Sequence, residues 1–517
     1  MVKLVVGPGN PGPATAPSTS KGIGIEILLP KPANWNERIR AFGNGGWSGT
    51  LQTSLKDVAS SAAHTEAANK GYVVATTDNG HIGNPIDPSF AMNPDGTINT
   101  VGWKDFSERS LHELAVKTKL VTKAFYGKPH KYAYWDGYST GGRQGLKIAQ
   151  VFPDDFDGIL DGAPAINWSK YHTSGLYSKI AMKQDLNGKI KPEKLAAVTQ
   201  YAIKACGGAE LGFLIDPLSC RYNPATDTAN ICKGSTDNSG AIGTSNSTAC
   251  LTTAEANTIN KIWYGQTSDG TAPSPEADNG KGNTLNGKRV WFGWPRGTNL
   301  IATSAAGGEG VDFFGDAGLM LAADQTALEL QDPTLGSTMF KNGKGNGLNR
   351  WAEKIDYAGL ATAQTQGLKL QPLFANINTD NPNLLAFEKA GGKLLMYHGL
   401  ADNLIPVQGS INYYERVGAQ MGGIEAIKNF YRFYLIPGLT HIEPVSGGPT
   451  VPLPQSVLGS DELFVALQNW VEKNVVPERM DVTSSNSMVS LPICVYPHKI
   501  TYLGSGSVKS TASYICK

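Results

Sequence analysis

The fold is decided by the segment Tyr134-Trp-Asp-Gly-Tyr-Ser-Thr-Gly-Gly-Arg-Gln-Gly145. Within it, Gly137, Ser139 and Gly141 fill the pattern G-x-S-x-G, which is typical of a serine on a sharp turn between a strand and a helix. Glycines two positions before and after the serine let the two backbones approach closely, and the amides at the helix start can stabilise an oxyanion. A chain with 60 glycines also produces this pattern by chance. A glycine-rich turn with an ordinary surface serine is therefore the alternative.

The flanking sequence alternates between strand and helix patterns. Short β-favouring runs bounded by Gly and Pro predict strands, and apolar residues at helical spacing predict helices. The predicted strands cover residues 23–29, 38–42, 71–78, 130–135, 156–162, 392–399 and 430–435. The predicted helices cover residues 110–125, 143–151, 252–263, 408–418 and 461–474. Residues 1–20 are rich in Gly, Pro, Ser and Thr and are predicted to be irregular. This alternation predicts an α/β fold with a mostly parallel sheet.

The length of 517 residues is more than one simple domain needs. The alternation stops near residue 167 and returns only at residue 392, and residues 206–300 are rich in Gly, Asn, Ser, Thr and Asp. We therefore predict a core formed by residues 1–166 and 386–517. Residues 167–385 are predicted to be a large insertion that folds over the cleft, here called the lid.

Other candidate site residues lie in loops and in the lid. The run Gly43-Asn-Gly-Gly-Trp-Ser-Gly49 follows a predicted strand upstream of Ser139, where hydrolases with such a turn keep a second oxyanion amide. A plain turn or a phosphate loop is the alternative, although no G-K-[ST] follows. His81 also comes after a strand, and it either lines the cleft or makes a structural hydrogen bond. Trp294 and Phe313 are candidates for an aromatic substrate pocket, with packing inside the lid as the safer interpretation.

Two further residues complete a pattern with Ser139. Asp402 and His441 each sit in a loop after a predicted strand, and the chain order is nucleophile, acid, base. This is the order of α/β-hydrolases. Because the ends of parallel strands meet at one edge of a sheet, the three side chains can meet there. His441 is expected to take the proton of Ser139, and Asp402 is expected to orient His441.

Composition limits the partners and the compartment. Lys and Arg number 45 against 44 Asp and Glu, so the net charge of +1 favours neither nucleic acid nor an anionic membrane as partner. The sequence contains no run of about 18 apolar residues, so we predict no membrane span. The six Cys form local groups without a C-x2-C pair, which favours disulfides in an oxidising compartment over reduced thiols or a zinc site. Asn167 and Asn246 lie in glycosylation sequons, and Asn246 is the better candidate because Asn167 is near the predicted site.

At these residues the chain resembles the tannase and feruloyl esterase family, which also contains hydrolases of mono(hydroxyethyl) terephthalate. The resemblance covers most of the chain. It is carried jointly by the following segments: Gly43 to Gly49, Tyr134 to Gly145, Phe152-Pro-Asp-Asp-Phe-Asp-Gly158, Gly162-Ala-Pro-Ala-Ile-Asn-Trp168, Gly391-Gly-Lys-Leu-Leu-Met-Tyr-His-Gly-Leu-Ala-Asp402 and Pro437-Gly-Leu-Thr-His441.

The resemblance implies an α/β-hydrolase core with an inserted lid and hydrolysis of carboxylic esters through a serine acyl-enzyme. It implies the amides of Thr140 and Gly45 as oxyanion donors, and no cofactor. The implied substrates are small esters of aromatic, hydroxycinnamic-type acids, with galloyl esters or polyester-derived esters as the alternative. A non-catalytic binding relative is a third interpretation of the chain. It also implies a secreted protein with the pairs Cys206–Cys220, Cys232–Cys250 and Cys494–Cys516. The oligomeric state stays open.

Two positions depart from the family pattern. The family usually joins the residue before the nucleophile to the residue after the histidine by a disulfide, and these positions are Tyr138 and Ile442 here. Packing of Tyr138 against Ile442 is our hypothesis for what replaces it. The family's lid also binds calcium through a run of aspartates, but the matching segment here has only Glu210 and Asp216. Because calcium prefers six or more oxygen ligands, we predict no metal site.

Overall fold

The computed structural model describes residues 1–7, 20, 22–49, 60–278, 285, 287–441, 448–454 and 461–517. The central feature of this part of the chain is an eight-stranded sheet with the strand order β1-β2-β4-β3-β5-β6-β7-β8. Its strands are β1 (Val2–Val6), β2 (Ile23–Leu28), β3 (Arg38–Phe42), β4 (Val73–Thr77), β5 (Tyr132–Tyr138), β6 (Gly158–Gly162), β7 (Lys393–Gly399) and β8 (Tyr431–Ile436). The strands β3 to β8 run parallel to one another, whereas β2 is antiparallel to both of its neighbours, β1 and β4.

Helices connect the strands of the sheet and also lie within the segment between β6 and β7. They are α1 (Ala62–Asn69), α2 (Thr100–Lys104), α3 (Ser110–Tyr126), α4 (Thr140–Val151), α5 (Trp168–Ser174), α6 (Tyr177–Leu186), α7 (Pro192–Ala205), α8 (Thr253–Tyr264), α9 (Phe313–Leu330), α10 (Trp351–Lys354), α11 (Tyr357–Lys369), α12 (Leu385–Lys389), α13 (Gln408–Gln420), α14 (Ile424–Ile427) and α15 (Glu462–Lys473). A π-helical turn, Asp105–Arg109, joins α2 to α3. Two short hairpins follow α15: β9 (Met480–Thr483) with β10 (Ser490–Ile493), and β11 (Ile500–Tyr502) with β12 (Tyr514–Cys516).

The sequence of the inner strands explains their position. On β7 the side chains of Leu394, Leu395 and Met396 are all fully buried, so both faces of this strand are covered. Consecutive apolar residues of this kind are typical of parallel strands between two layers of helices. The predicted α/β class and mostly parallel sheet are therefore confirmed.

The amino-terminal prediction is wrong in part. Residues 1–20 were expected to be irregular, but Val2–Val6 forms β1 and pairs in antiparallel register with β2. Four of its five residues are Val or Leu, and this apolar run pairs with β2 although Gly and Pro follow it closely.

The described part of the segment between β6 and β7 contributes no strand to the sheet. Its helices pack on one another, with α9 in contact with α5 and α11. Two disulfides, Cys206–Cys220 and Cys232–Cys250, hold the loop-rich part, and Cys494–Cys516 links β12 to the chain next to β10. The three predicted pairings are thus confirmed. Among the described residues, no helix has both the length and the apolar character to cross a membrane.

The two sequons differ in exposure. Asn167 is only 1% exposed, which leaves no room for a glycan on its side chain. Asn246 is exposed in the loop-rich part of the lid, so it remains the candidate of the two.

Candidate active site

Ser139 sits on a strained turn between β5 and α4. Its φ of 60° lies in the left-handed region, which costs a residue with a side chain about 1–3 kcal/mol and is common at functional sites. The turn is held by two backbone bonds: Ser139 donates to the carbonyl of Gly162 at 2.9 Å, and Ala165 donates to the carbonyl of Ser139 at 2.9 Å. A methyl group at Gly137 would lie 2.1 Å from the carbonyl oxygen of Gly141, so this close approach requires glycine.

The loop after β3 lies against the start of α4. The amide of Gly141 donates to the carbonyl of Asn44 at 2.7 Å, and the hydroxyl of Thr140 donates to the carbonyl of Gly46 at 2.9 Å. The amide of Asn44 is used by the side chain of Gln144 at 3.1 Å. Among the described residues, the amides of Gly45, Gly46 and Thr140 have no hydrogen-bond acceptor. These donors line the same cavity as Ser139.

Asp402 and His441 form a buried pair. Asp402 follows β7 and His441 follows β8, and Nδ1 of His441 lies 2.9 Å from Oδ2 of Asp402. The backbone amide of His441 donates to the side chain of Asn403 at 3.0 Å, which fixes the histidine loop. His441 lines the cavity beside Ser139, but no hydrogen bond joins the two side chains in the described structure. Such contacts are often long in free enzymes and shorten in the substrate complex.

The surroundings of Asp402 keep it ionised. Burial by itself would raise its pKa, but the imidazoles of His441 and His398 and their hydrogen bonds lower the pKa below its ordinary value. Its other oxygen, Oδ1, accepts backbone amides from Leu404 at 2.9 Å and Ile405 at 2.7 Å. The carboxylate can therefore balance a positive charge on His441 across the assay range of pH.

The cavity has a volume of about 520 Å³ and is lined both by loops at the edge of the sheet and by the segment 167–385, the predicted lid. The lid side of the lining includes six aromatic side chains among smaller residues: Tyr171, Tyr177, Phe292, Trp294, Phe313 and Phe314. Trp294 is 7% exposed and also packs in the lid core, whereas Phe313 is 69% exposed. Both residues predicted from the sequence thus line the cavity. The sequence pattern did not single out Tyr171 and Tyr177, because helix residues give no signal of which cavity they face.

A family model described as "Tannase and feruloyl esterase" matches residues 9–517. The chain belongs to this family. It is 31% identical over 508 residues to a probable feruloyl esterase of Arthroderma benhamiae, covering 95% of this chain and 82% of that protein. Since the family consists of ester hydrolases, the protein is a carboxylic ester hydrolase.

Solved structures resemble this esterase over nearly its full length. An esterase from Aspergillus oryzae is 26% identical, with a TM-score of 0.71, and the match covers 97% of this chain and 89% of that one. Feruloyl esterase B from Aspergillus oryzae has a TM-score of 0.72 at 24% identity and covers 100% and 95% of the two chains. The second likeness shows the fold alone, and both agree with the predicted α/β-hydrolase core.

In this esterase, Tyr138 contacts the histidine loop. Its hydroxyl donates to the carbonyl of Thr440 at 3.4 Å, and its ring centroid lies 5.2 Å from that of His441. Ile442, the packing partner proposed from the sequence, lies outside the described residues. The nucleophile and histidine loops are therefore linked through Tyr138 by a hydrogen bond and a ring contact.

Two further expectations concern His81 and a metal. His81 does not line the cavity of the esterase; its Nε2 lies 2.7 Å from the carbonyl of Trp47 and its ring stacks on Phe90. Burial lowers its pKa to about 4, so it is neutral and structural. Asp216 pairs with Lys499 at 2.8 Å. Within the described ranges, no group of three or more His, Cys, Asp or Glu side chains is placed to hold a metal ion.

Proposed function

We propose that the protein is a serine esterase in which Ser139 is the nucleophile, His441 the general base and Asp402 the residue that orients His441. The observation that carries this proposal is the strained turn of Ser139 in the cavity that His441 also lines, with Asp402 bonded to the far nitrogen of His441. In other serine hydrolases these three groups perform acyl transfer in the same relation.

The reaction proceeds in two steps. Oγ of Ser139 attacks the ester carbonyl while its proton passes to Nε2 of His441, and the negative charge on the carbonyl oxygen is stabilised by the amides of Thr140 and Gly45. The bond to the alcohol then breaks, and His441 returns the proton to the leaving alkoxide. A water molecule then attacks the acyl-enzyme while its proton passes to His441, and the bond between the acyl group and Oγ breaks as His441 returns that proton to Oγ of Ser139, which releases the acid.

We further propose that the acid part of the substrate is aromatic and of the hydroxycinnamic type. The aromatic lining of the lid side supports this, and a volume of about 520 Å³ falls in the usual range for small-molecule sites. Trp294 is proposed to contact the aromatic ring inside the cavity. Phe313, because it is largely exposed, is proposed to contact the alcohol part near the opening.

The test is a panel of methyl ferulate, methyl caffeate, methyl gallate, chlorogenate and methyl butyrate, compared by kcat/KM. We expect the two hydroxycinnamate methyl esters to be the best substrates and methyl butyrate the worst. A preference for methyl gallate would instead make the protein a tannase, and a preference for methyl butyrate would refute an aromatic site. Ser139→Ala is the matched control, and it should reduce every rate to background.

The domain division and the compartment are also proposals. We propose that residues 167–385 are the lid and that residues 1–166 with 386–517 are the catalytic domain. The three disulfides support a secreted protein, and the exposed sequon supports a glycan at Asn246. Protein recovered from the medium of its natural source should contain no free thiol after denaturation and should lose mass on deglycosylation, and Asn246→Gln should abolish that loss. Recovery of the protein only inside cells would contradict secretion.

A further inference from the structure

A second imidazole lies next to the predicted acid. His398 is on β7, four residues before Asp402, and its side chain is fully buried. Its Nε2 lies 3.1 Å from Oδ2 of Asp402 and 3.1 Å from the carbonyl oxygen of Ile405. Its Nδ1 lies 2.8 Å from the hydroxyl of Ser410 on α13. His398 is absent from the cavity lining, so it does not reach the substrate.

The partners of His398 determine which nitrogen carries its hydrogen. Asp402 and the carbonyl of Ile405 can only accept, so Nε2 must donate. The hydroxyl of Ser410 can donate or accept, and it donates to Nδ1 when the ring is neutral. His398 therefore presents an N–H group to the same carboxylate oxygen that His441 uses.

This contact completes the bonding of Asp402. Oδ1 accepts the amides of Leu404 and Ile405, and Oδ2 lies 2.9 Å from Nδ1 of His441 and 3.1 Å from Nε2 of His398. A carboxylate has about four lone-pair sites, so all of them are occupied. The donor on His398 both prevents rotation of the carboxylate and withdraws negative charge from the oxygen that faces His441.

We propose that His398 is a positioning residue that holds Asp402 and limits its attraction for the proton on His441. This inference rests on the proposed roles of Ser139, Asp402 and His441. Without the donor, Asp402 would attract that proton more strongly, and His441 would become a stronger base but a weaker acid toward the leaving alcohol. The turnover number kcat would fall. Substrate binding would be retained, because His398 does not line the cavity.

Other titratable groups near this cluster stay neutral. Tyr138 on β5 and Tyr171 on α5 are the nearby phenols, and burial raises the pKa of each well above its ordinary value. The charge of Asp402 adds to this increase at both, and the guanidinium of Arg143 opposes it at Tyr171. Tyr397 on β7 is likewise buried, with its pKa raised. None of these three phenols therefore ionises in the acid limb of the pH profile.

The test compares His398→Asn with His398→Gln. The amide of Gln can reach the position of Nε2 and donate to Asp402, whereas the shorter Asn places its polar group toward Ser410 and loses this bond. For His398→Asn we expect kcat to fall about tenfold or more, the usual effect of losing a hydrogen bond to a charged group. KM should change less than about twofold, and the acid limb of kcat/KM should move to higher pH by roughly half a unit to one unit. His398→Gln should restore most of kcat and the original acid limb.

Controls separate this inference from the proposed function. Ser410→Ala removes the contact at the other nitrogen of His398 and should leave the acid limb in place. Equal losses in His398→Asn and His398→Gln, or an unmoved acid limb in both, would overturn the inference in favour of a purely structural role. If Ser139→Ala is inactive while His398→Asn keeps the parent kcat and profile, only the role of His398 fails. If Ser139→Ala remains active, the proposed function fails and this inference fails with it.

Discussion

The substitution Asp402→Asn is the most informative single change, because the structure dictates how the new amide must lie. Oδ1 of Asp402 accepts two backbone amides, from Leu404 at 2.9 Å and Ile405 at 2.7 Å. The carbonyl oxygen of an asparagine takes this position, because the NH₂ group would face two donors here but only one, the N–H of His398, at the position of Oδ2. The NH₂ group is then forced into the position of Oδ2, facing Nδ1 of His441 and Nε2 of His398.

This orientation changes the tautomer of His441. Nδ1 must now accept a hydrogen bond, so the ring hydrogen moves to Nε2, the nitrogen that should take the proton of Ser139. In serine triads the wrong tautomer lowers kcat by about 10⁴-fold, which corresponds to about 5.4 kcal/mol in the activation free energy. We expect a loss of this order for Asp402→Asn, with the shape of the buried site retained.

The assay is kcat and kcat/KM for methyl ferulate, with near-UV circular dichroism and Tm measured on the same preparations. Asp216→Asn is a matched control, since it makes the same chemical change at an ion pair outside the cavity, and it should keep the parent rate. A folded Asp402→Asn protein whose kcat lies within about tenfold of the parent value would refute both the role of Asp402 and the tautomer reasoning.

Three further variants test the surroundings of the site. Tyr138→Phe removes the bond to the carbonyl of Thr440; at 3.4 Å this bond is long, so kcat should fall only about two- to tenfold, and an unchanged kcat would show that the bond contributes nothing. Gly137→Ala places a methyl group 2.1 Å from the carbonyl of Gly141, and the unfolding free energy should fall by about 1–3 kcal/mol in a denaturant titration; full stability would contradict the close approach. Burial raises the pKa of Asp324 to about 8, so between about pH 4 and 8 the folded protein keeps a proton on this acid that the unfolded chain loses. The free energy of unfolding should therefore fall as pH rises through this range. Asp324→Asn should remove this part of the pH dependence of Tm, and an identical slope in the variant would contradict it.

The sequence predicted the elements whose signals are local. The strand at residues 38–42 has the predicted bounds, and α3 begins at Ser110 as predicted. The order of Ser139, Asp402 and His441 sufficed to place them at one edge of the sheet, because parallel strands share that edge.

Features without a local signal could not be predicted. Helix α9 (Phe313–Leu330) is buried on several sides, including the polar residues Asp324 and Glu329, so it lacks the one-sided apolar pattern by which helices are recognised. Tyr138 and Thr440 are far apart in the sequence and meet only once the sheet has formed, whereas the contact of His398 with Asp402 depends on how the loop after β7 turns. Their roles depend on geometry rather than on residue type.

The contact between Tyr138 and the histidine loop bears on how heat inactivates the protein. A covalent tether sets an absolute limit on loop separation, whereas a hydrogen bond and a ring contact open with a small free energy. The nucleophile loop can therefore separate from the histidine loop while His441 stays bonded to Asn403 and Asp402 and the three disulfides remain intact. We expect heat to inactivate the protein at a lower temperature than the one that unfolds the sheet, and cooling after inactivation alone to restore activity.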